Sequence, residues 1–176
     1  MRLGVDARVL VHRPTGVARY LSGIFENWPD LRREGDKLSY FVDKAAAAEP
    51  LPGRPDEVHV LGWPLPGGDP AWRQIRLGTS RLLRDVDLLF CPFYTVPLLS
   101  RVPSVVTVHD VSFAAFPQWF RRRARLAFSM TGPSAHRARR VLTPSEFSAS
   151  EIVRYFDVPA SRIEVTPLGL APQWLE

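Results

Sequence analysis

The chain has 176 residues, 45% of them hydrophobic, one cysteine and a net charge of +5. That length and apolar fraction support one domain with a sizeable core and exclude a disordered chain. The lone Cys91 excludes a disulfide framework and a cysteine-clustered zinc site and fits a reducing cytoplasm; no apolar stretch approaches the roughly 18 residues of a spanning helix, and the first residues do not read as a signal peptide.

In chain order, Arg2 to Leu10 reads as a first strand. Val17, Tyr20, Leu21, Ile24, Phe25 and Trp28 then recur at helical spacing. Leu38 to Val42 and Val58 to Leu61 are short strands, followed by a turn-rich loop from Gly62 to Pro70. Trp72, Ile75, Leu82 and Leu83 mark a helix weakened by Gly78. Asp87 to Phe93 and Pro103 to Val108 are buried strands. A long basic helix starts near Phe120, with a break expected at Gly132-Pro133. Arg140 to Thr143 is a strand, Ala149, Ile152, Val153 and Phe156 share a helix face, and Arg162 to Leu168 closes the pattern. Strands alternating with helices predict an α/β fold: a doubly wound, mostly parallel sheet of six or seven strands with helices on both faces. Ligands of such sheets bind beyond the carboxyl ends of the strands.

Four stretches carry candidate chemistry. In His12 to Tyr20, Gly16 lies between the first strand and the first helix, where it makes either a tight turn or an open approach for an anion to a helix N-terminus. The spacing is neither GxGxxG nor a P-loop. His109-Asp110 ends a valine-rich strand, either as a satisfied strand cap or as a group that titrates near neutrality at the ligand edge. Neighbours on an extended chain point oppositely, so Asp110 is not automatically the partner of His109. Ser145 with Glu146, or Ser148 with Glu151 one turn later, can cap the last helix. Trp119, Phe120, Arg121, Arg122, Arg123 and Arg125 form either a solvated face or a contact for an anionic membrane surface. The positive charge suits an anionic partner without naming one. No nucleic-acid-binding motif accompanies it, and there is no GxSxG elbow and no metal-ligand spacing.

In order, "RLGVDARVL…TGVARY", "LLFCPFYTVPL", "VVTVHDVSFAAFP" and "RARRVLTPSEFSASEIVRYFDVPASRIEVTPLG" resemble the N-terminal half of a family-four, GT-B-fold retaining glycosyltransferase of the mannosyltransferase-like group that builds surface polysaccharides. The resemblance implies an acceptor-side Rossmann-like domain over residues 1–174, with a donor-binding domain absent from the chain. The final Leu175-Glu176 reads as a cloning remnant. The resemblance also implies a nucleotide-sugar donor, GDP-mannose among the candidates, and a saccharide or lipid-linked acceptor. It implies no cofactor and no metal, and a cytoplasmic enzyme peripheral to the inner membrane face. By position, His109 matches the catalytic histidine facing the transferred sugar. Gly16 and Val17 match the glycine loop near the donor pyrophosphate, although Ala18 stands where the commoner pattern has a second glycine. Tyr94, Asp110 and Phe113 fall on the acceptor side. The alternative is a stand-alone nucleotide-binding regulatory α/β domain.

Overall fold

The structure, a computed structural model, describes residues 1–12, 15–45, 51–62 and 68–169; the middle of the Gly62 to Pro70 loop and the Leu175-Glu176 pair lie outside them. Seven strands form one sheet: β1 (Arg2–Asp6), β2 (Lys37–Val42), β3 (Glu57–Val60), β4 (Leu88–Cys91), β5 (Ser104–Thr107), β6 (Arg140–Thr143) and β7 (Ile163–Val165). Their order is β3-β2-β1-β4-β5-β6-β7 and every pairing is parallel. The order reverses direction between β1 and β4, so the crevice of this doubly wound sheet opens at the carboxyl ends there. The helices are α1 (Arg8–Val11), α2 (Gly16–Glu26), α3 (Trp28–Leu31), α4 (Gly68–Ala71), α5 (Ser112–Ala115), α6 (Arg122–Phe128), α7 (Thr131–Arg137) and α8 (Glu146–Phe156). A π-turn, Trp72–Leu77, continues α4, and 3₁₀ turns cover Arg81–Asp85, Pro117–Trp119 and Ala160–Arg162.

Successive residues of the central strands bury on opposite faces, as a pleated chain requires. Tyr40, Val42, Val5 and Phe90 pack with Leu21 and Phe25 on one face. Phe41, Leu89, Cys91 and Val106 pack with Trp72, Leu77 and Ile152 on the other. Gly4, in the middle of β1, is held to hydrogen by this packing: a Cβ there would sit 2.9 Å from Val86 Cγ1 and 3.0 Å from Phe41 Cε2. Gly4→Ala is expected to lower stability by about 1–3 kcal/mol through overpacking, read as a lower urea midpoint at unchanged m-value.

Three elements end elsewhere than their residues suggest. β1 stops at Asp6, where Arg8 turns back to bond the Asp6 carboxylate at 3.0 Å; Arg8, Val9 and Leu10, which read as strand, lie in α1. The basic helix breaks at Ser129-Met130, where the Ser129 hydroxyl donates to Leu126 O at 2.7 Å, and not at Gly132-Pro133. Pro133 sits in the first turn of α7, where no N–H is needed. The closing strand ends at Val165, two residues before Pro167, which has no N–H to extend a ladder.

Candidate active site

β5 delivers its last residues to the crevice. Val108 N–H still donates to Leu142 O at 2.9 Å, and the next residue, His109, leaves the sheet half-buried. Its Nε2 lies 2.9 Å from Pro92 O, in the segment following β4. A carbonyl only accepts, so Nε2 carries the proton. In the neutral ring Nδ1 is then an acceptor, and among the described residues it has no hydrogen-bond partner. Burial lowers the pKa of His109 below 6.5; the Pro92 carbonyl and the Asp110 charge oppose this without reversing it. The imidazole is therefore neutral near pH 7. The Ser148 hydroxyl donates to His109 O at 3.3 Å, so the start of α8 fastens the backbone as well.

The amino end of α2 comes to the same place. Thr15 caps it, accepting from Ala18 N–H at 3.2 Å. The Gly16 and Val17 N–H groups have no acceptor within the helix, as at any helix start. Gly16 is exposed, and a Cβ built there would meet no atom within 4 Å, so packing does not require a glycine. One turn on, the Tyr20 ring meets the His109 ring edge-on, with centroids 5.1 Å apart, and its hydroxyl pairs with Thr107 Oγ1 at 3.1 Å. Tyr20 thus ties the Gly16 turn to His109. Its helical spacing marked it for the core only, although the i, i+4 offset from Gly16 places both on one face.

Tyr94 is buried in a left-handed conformation at φ +56°. Its hydroxyl donates to Asp110 Oδ2 at 2.7 Å. Burial, reinforced by the adjacent carboxylate, raises its pKa. Asp110 Oδ1 accepts from Ser112 N–H at 2.9 Å and from Ser112 Oγ at 2.6 Å. Burial would raise the Asp110 pKa, but the Ser112 and Tyr94 hydrogen bonds outweigh it and keep the group ionised. Both carboxylate oxygens are thus engaged by the protein, and Asp110 closes the turn into α5. Phe113 stacks on Phe128 at 4.5 Å and meets Tyr94 edge-on at 5.7 Å. It is a buried support beneath Tyr94 and does not face open solvent.

Ser145 takes the capping role at α8, accepting from Ser148 N–H at 3.1 Å, and Ser148 is committed to His109. The basic stretch is split in its roles. Phe120 joins the aromatic cluster of Phe113 and Phe128. Trp119 is 72% exposed and stacked on Phe116 at 4.3 Å, and Leu126 in α6 is 73% exposed. Arg121, Arg122, Arg123 and Arg125 are exposed, with no ion pair among the described residues. No group of three or more His, Cys, Asp or Glu suited to a metal occurs among the described residues, and no helix there is long and apolar enough to cross a membrane.

The site is thus a Rossmann-like parallel sheet with a half-buried histidine and a helix N-terminus at its carboxyl edge. The model of Glycosyltransferase Family 4 matches residues 2–174, and the chain belongs to that family. It is 36% identical over 84 residues to an O-antigen chain mannosyltransferase B of Escherichia coli, a match covering 47% of this chain and 22% of that protein. The solved UDP-GlcNAc 2-epimerase of Methanocaldococcus jannaschii superposes with a TM-score of 0.58 at 14% identity, over 94% of this chain and 45% of the epimerase. At that identity the likeness is one of fold. The chain spans less than half the length of either protein.

Proposed function

We propose that this domain is the acceptor-side half of a retaining glycosyltransferase that moves a hexose from a nucleotide-sugar to a saccharide or lipid-linked acceptor, with a second domain binding the donor. The mannosyltransferase relative supports mannose as the sugar moved, and GDP-mannose is a candidate donor in this reading. The observation that carries the reading is the junction of His109 and the amino end of α2, joined by Tyr20, at the carboxyl edge of a family member's sheet. Transfer breaks the bond from the anomeric carbon to the phosphate oxygen and forms one to an acceptor hydroxyl. Charge grows on the departing diphosphate, where the Gly16 and Val17 N–H groups and the positive end of α2 stabilise it. The sugar passes through an oxocarbenium-like state. His109 Nδ1 accepts a hydrogen bond from a hydroxyl of that sugar and fixes its pose. Both Asp110 oxygens accept hydrogen bonds that close the turn into α5, and no carboxylate is assigned as a covalent nucleophile. In this reading, as the resemblance implies, the acceptor attacks from the face the phosphate leaves, and its proton passes to the leaving phosphate oxygen. No cofactor or metal enters the scheme.

The enzyme comprising this domain and its donor-binding partner is expected to release nucleoside diphosphate from GDP-mannose or another nucleotide-sugar when acceptor is added. The chain alone should show no turnover, because the transition state needs groups from both sides of the cleft. Failure of the two-domain enzyme with every common nucleotide-sugar would remove the proposal. Nucleotide binding by the isolated chain without turnover in any context would favour the regulatory-domain reading instead.

A lipid-linked acceptor requires the site to approach a bilayer. Trp119, Phe116 and Leu126 with four exposed arginines offer such a surface. Each arginine near an anionic leaflet contributes roughly 1 kcal/mol. Co-sedimentation with phosphatidylglycerol-containing vesicles is expected to fade with salt and to weaken about fivefold for each of Arg121, Arg122 and Arg123 changed to Ser. Absence of binding at low salt would leave these charges as a solvated face.

A further inference from the structure

His109 is oriented by Pro92 O, so whatever fixes the segment from Pro92 to Leu98 fixes the histidine. That segment does not settle by itself. Thr95 N–H donates to Phe93 O at 2.6 Å, a three-residue turn closed around Tyr94 at positive φ. Such turns are rare and strained, and they persist where surrounding structure holds them. Tyr94 itself is tied to β5 through its N–H to Thr107 O at 2.9 Å and to Asp110 through its hydroxyl, and the residues after it are held by the π-turn Trp72–Leu77. Arg73, 4% exposed, donates through Nε to Asp6 Oδ2 at 2.6 Å and through Nη1 to Thr95 Oγ1. Gln74 next to it donates through Nε2 to Val96 O at 2.7 Å and accepts from Leu98 N–H at 2.9 Å. Gly78, at the end of the turn, lets it lie against Pro97: a Cβ there would come within 3.0 Å of Pro97 Cβ and overlap Gln74 O. Two adjacent side chains thus hold the segment at Thr95, Val96 and Leu98, and one of them is anchored on the carboxylate that ends β1.

We propose that Arg73 and Gln74 are positioning residues for the transfer site: they clamp the segment after β4 so that Pro92 O meets His109 Nε2–H and Nδ1 is the nitrogen left to face a sugar. The significance for catalysis rests on the reading of His109 given above; the clamp itself is tested without turnover. The chain has four histidines, so their ring nitrogens are resolvable by long-range ¹H–¹⁵N correlation, with the His109 signals assigned by their loss in His109→Gln. Above the imidazole's titration range, the native chain should show His109 in the Nε2–H form alone. Thr95→Val, which removes the acceptor of Arg73 Nη1, is expected to give a mixture of both tautomers. Thr95→Ser, which restores the hydroxyl, should return the native pattern. An unchanged tautomer in Thr95→Val, or the same mixture in Thr95→Ser, overturns the proposal. If Thr95→Val does not fold, Gln74→Met at a half-buried position carries the same test, and an unaltered His109 tautomer there is equally decisive against it. Normal turnover in a His109→Ala enzyme would refute the role of the histidine and leave the tautomer result standing.

Discussion

Replacing His109 with Ala in the sugar-transferring enzyme is expected to lower turnover by about 10²-fold, the size found when one well-placed polar group is removed from a transition state. Donor KM should change by less than turnover does, since the nucleotide is held chiefly by other groups. The pH dependence follows from the same geometry. Burial lowers the histidine's pKa from 6.5, and only the neutral ring offers Nδ1 as an acceptor, so the acid limb of the turnover profile should fall below pH 6.5 and vanish in His109→Ala. Stability carries the matching sign. Below 6.5 the unfolded chain binds a proton that the folded chain still refuses, so this group's contribution is intact above that pH and is lost as pH falls through its folded value. Turnover in His109→Ala within threefold of the native enzyme would mean that the histidine does not touch substrate.

The sheet was legible because its signal is local. Val105, Val106 and Val108, or Val141 and Leu142, announce strands buried on both faces, and the helices between them supply the parallel crossovers. The position of His109 at the carboxyl edge followed from that pattern alone. The partners of His109 did not. Pro92 O is 17 residues away and Tyr20 lies on α2 in the first crossover, and no periodicity links them. Asp110 and Phe113 shared a motif with His109, yet side chains along one segment need not share one role. Asp110 closes a turn, and Phe113 supports Tyr94. Gly132-Pro133 drew attention as a helix breaker although a proline in a first turn breaks nothing; the hydroxyl of Ser129, a less conspicuous residue, ends the helix. The Asp6–Arg73 pair spans 67 residues and left no trace in composition or spacing.

That pair should be the costliest to break. Asp6 is 2% exposed at the carboxyl end of β1 and receives Arg8 Nε at 3.0 Å, Arg8 Nη2 at 3.2 Å and Arg73 Nε at 2.6 Å. The Arg8 guanidinium also lies over the Trp72 ring, 4.1 Å from its centroid. Burial alone would push the Asp6 carboxyl up, but the charges and hydrogen bonds of the two arginines prevail and hold it well below the usual carboxylate range. Asp6→Ala leaves the Arg73 guanidinium buried without its carboxylate and is expected to cost about 3–5 kcal/mol, measured as the shift in urea midpoint at constant m-value. Asp85→Ala, which removes the exposed partner of Arg2 at 3.5 Å, should change stability by less than about 1 kcal/mol. The linkage sign is that of a depressed acid. Its contribution is complete above 3.8 and is lost as pH falls through the folded value, so Asp6→Asn should flatten the acid-unfolding curve below pH 3.8 while the native chain loses stability there. An Asp6→Ala cost no greater than that of Asp85→Ala would mean that the arginines find solvent or other acceptors. The segment that orients His109 would then owe its shape to Gln74, Gly78 and the Tyr94 contacts with Thr107 and Asp110 rather than to the Asp6 anchor.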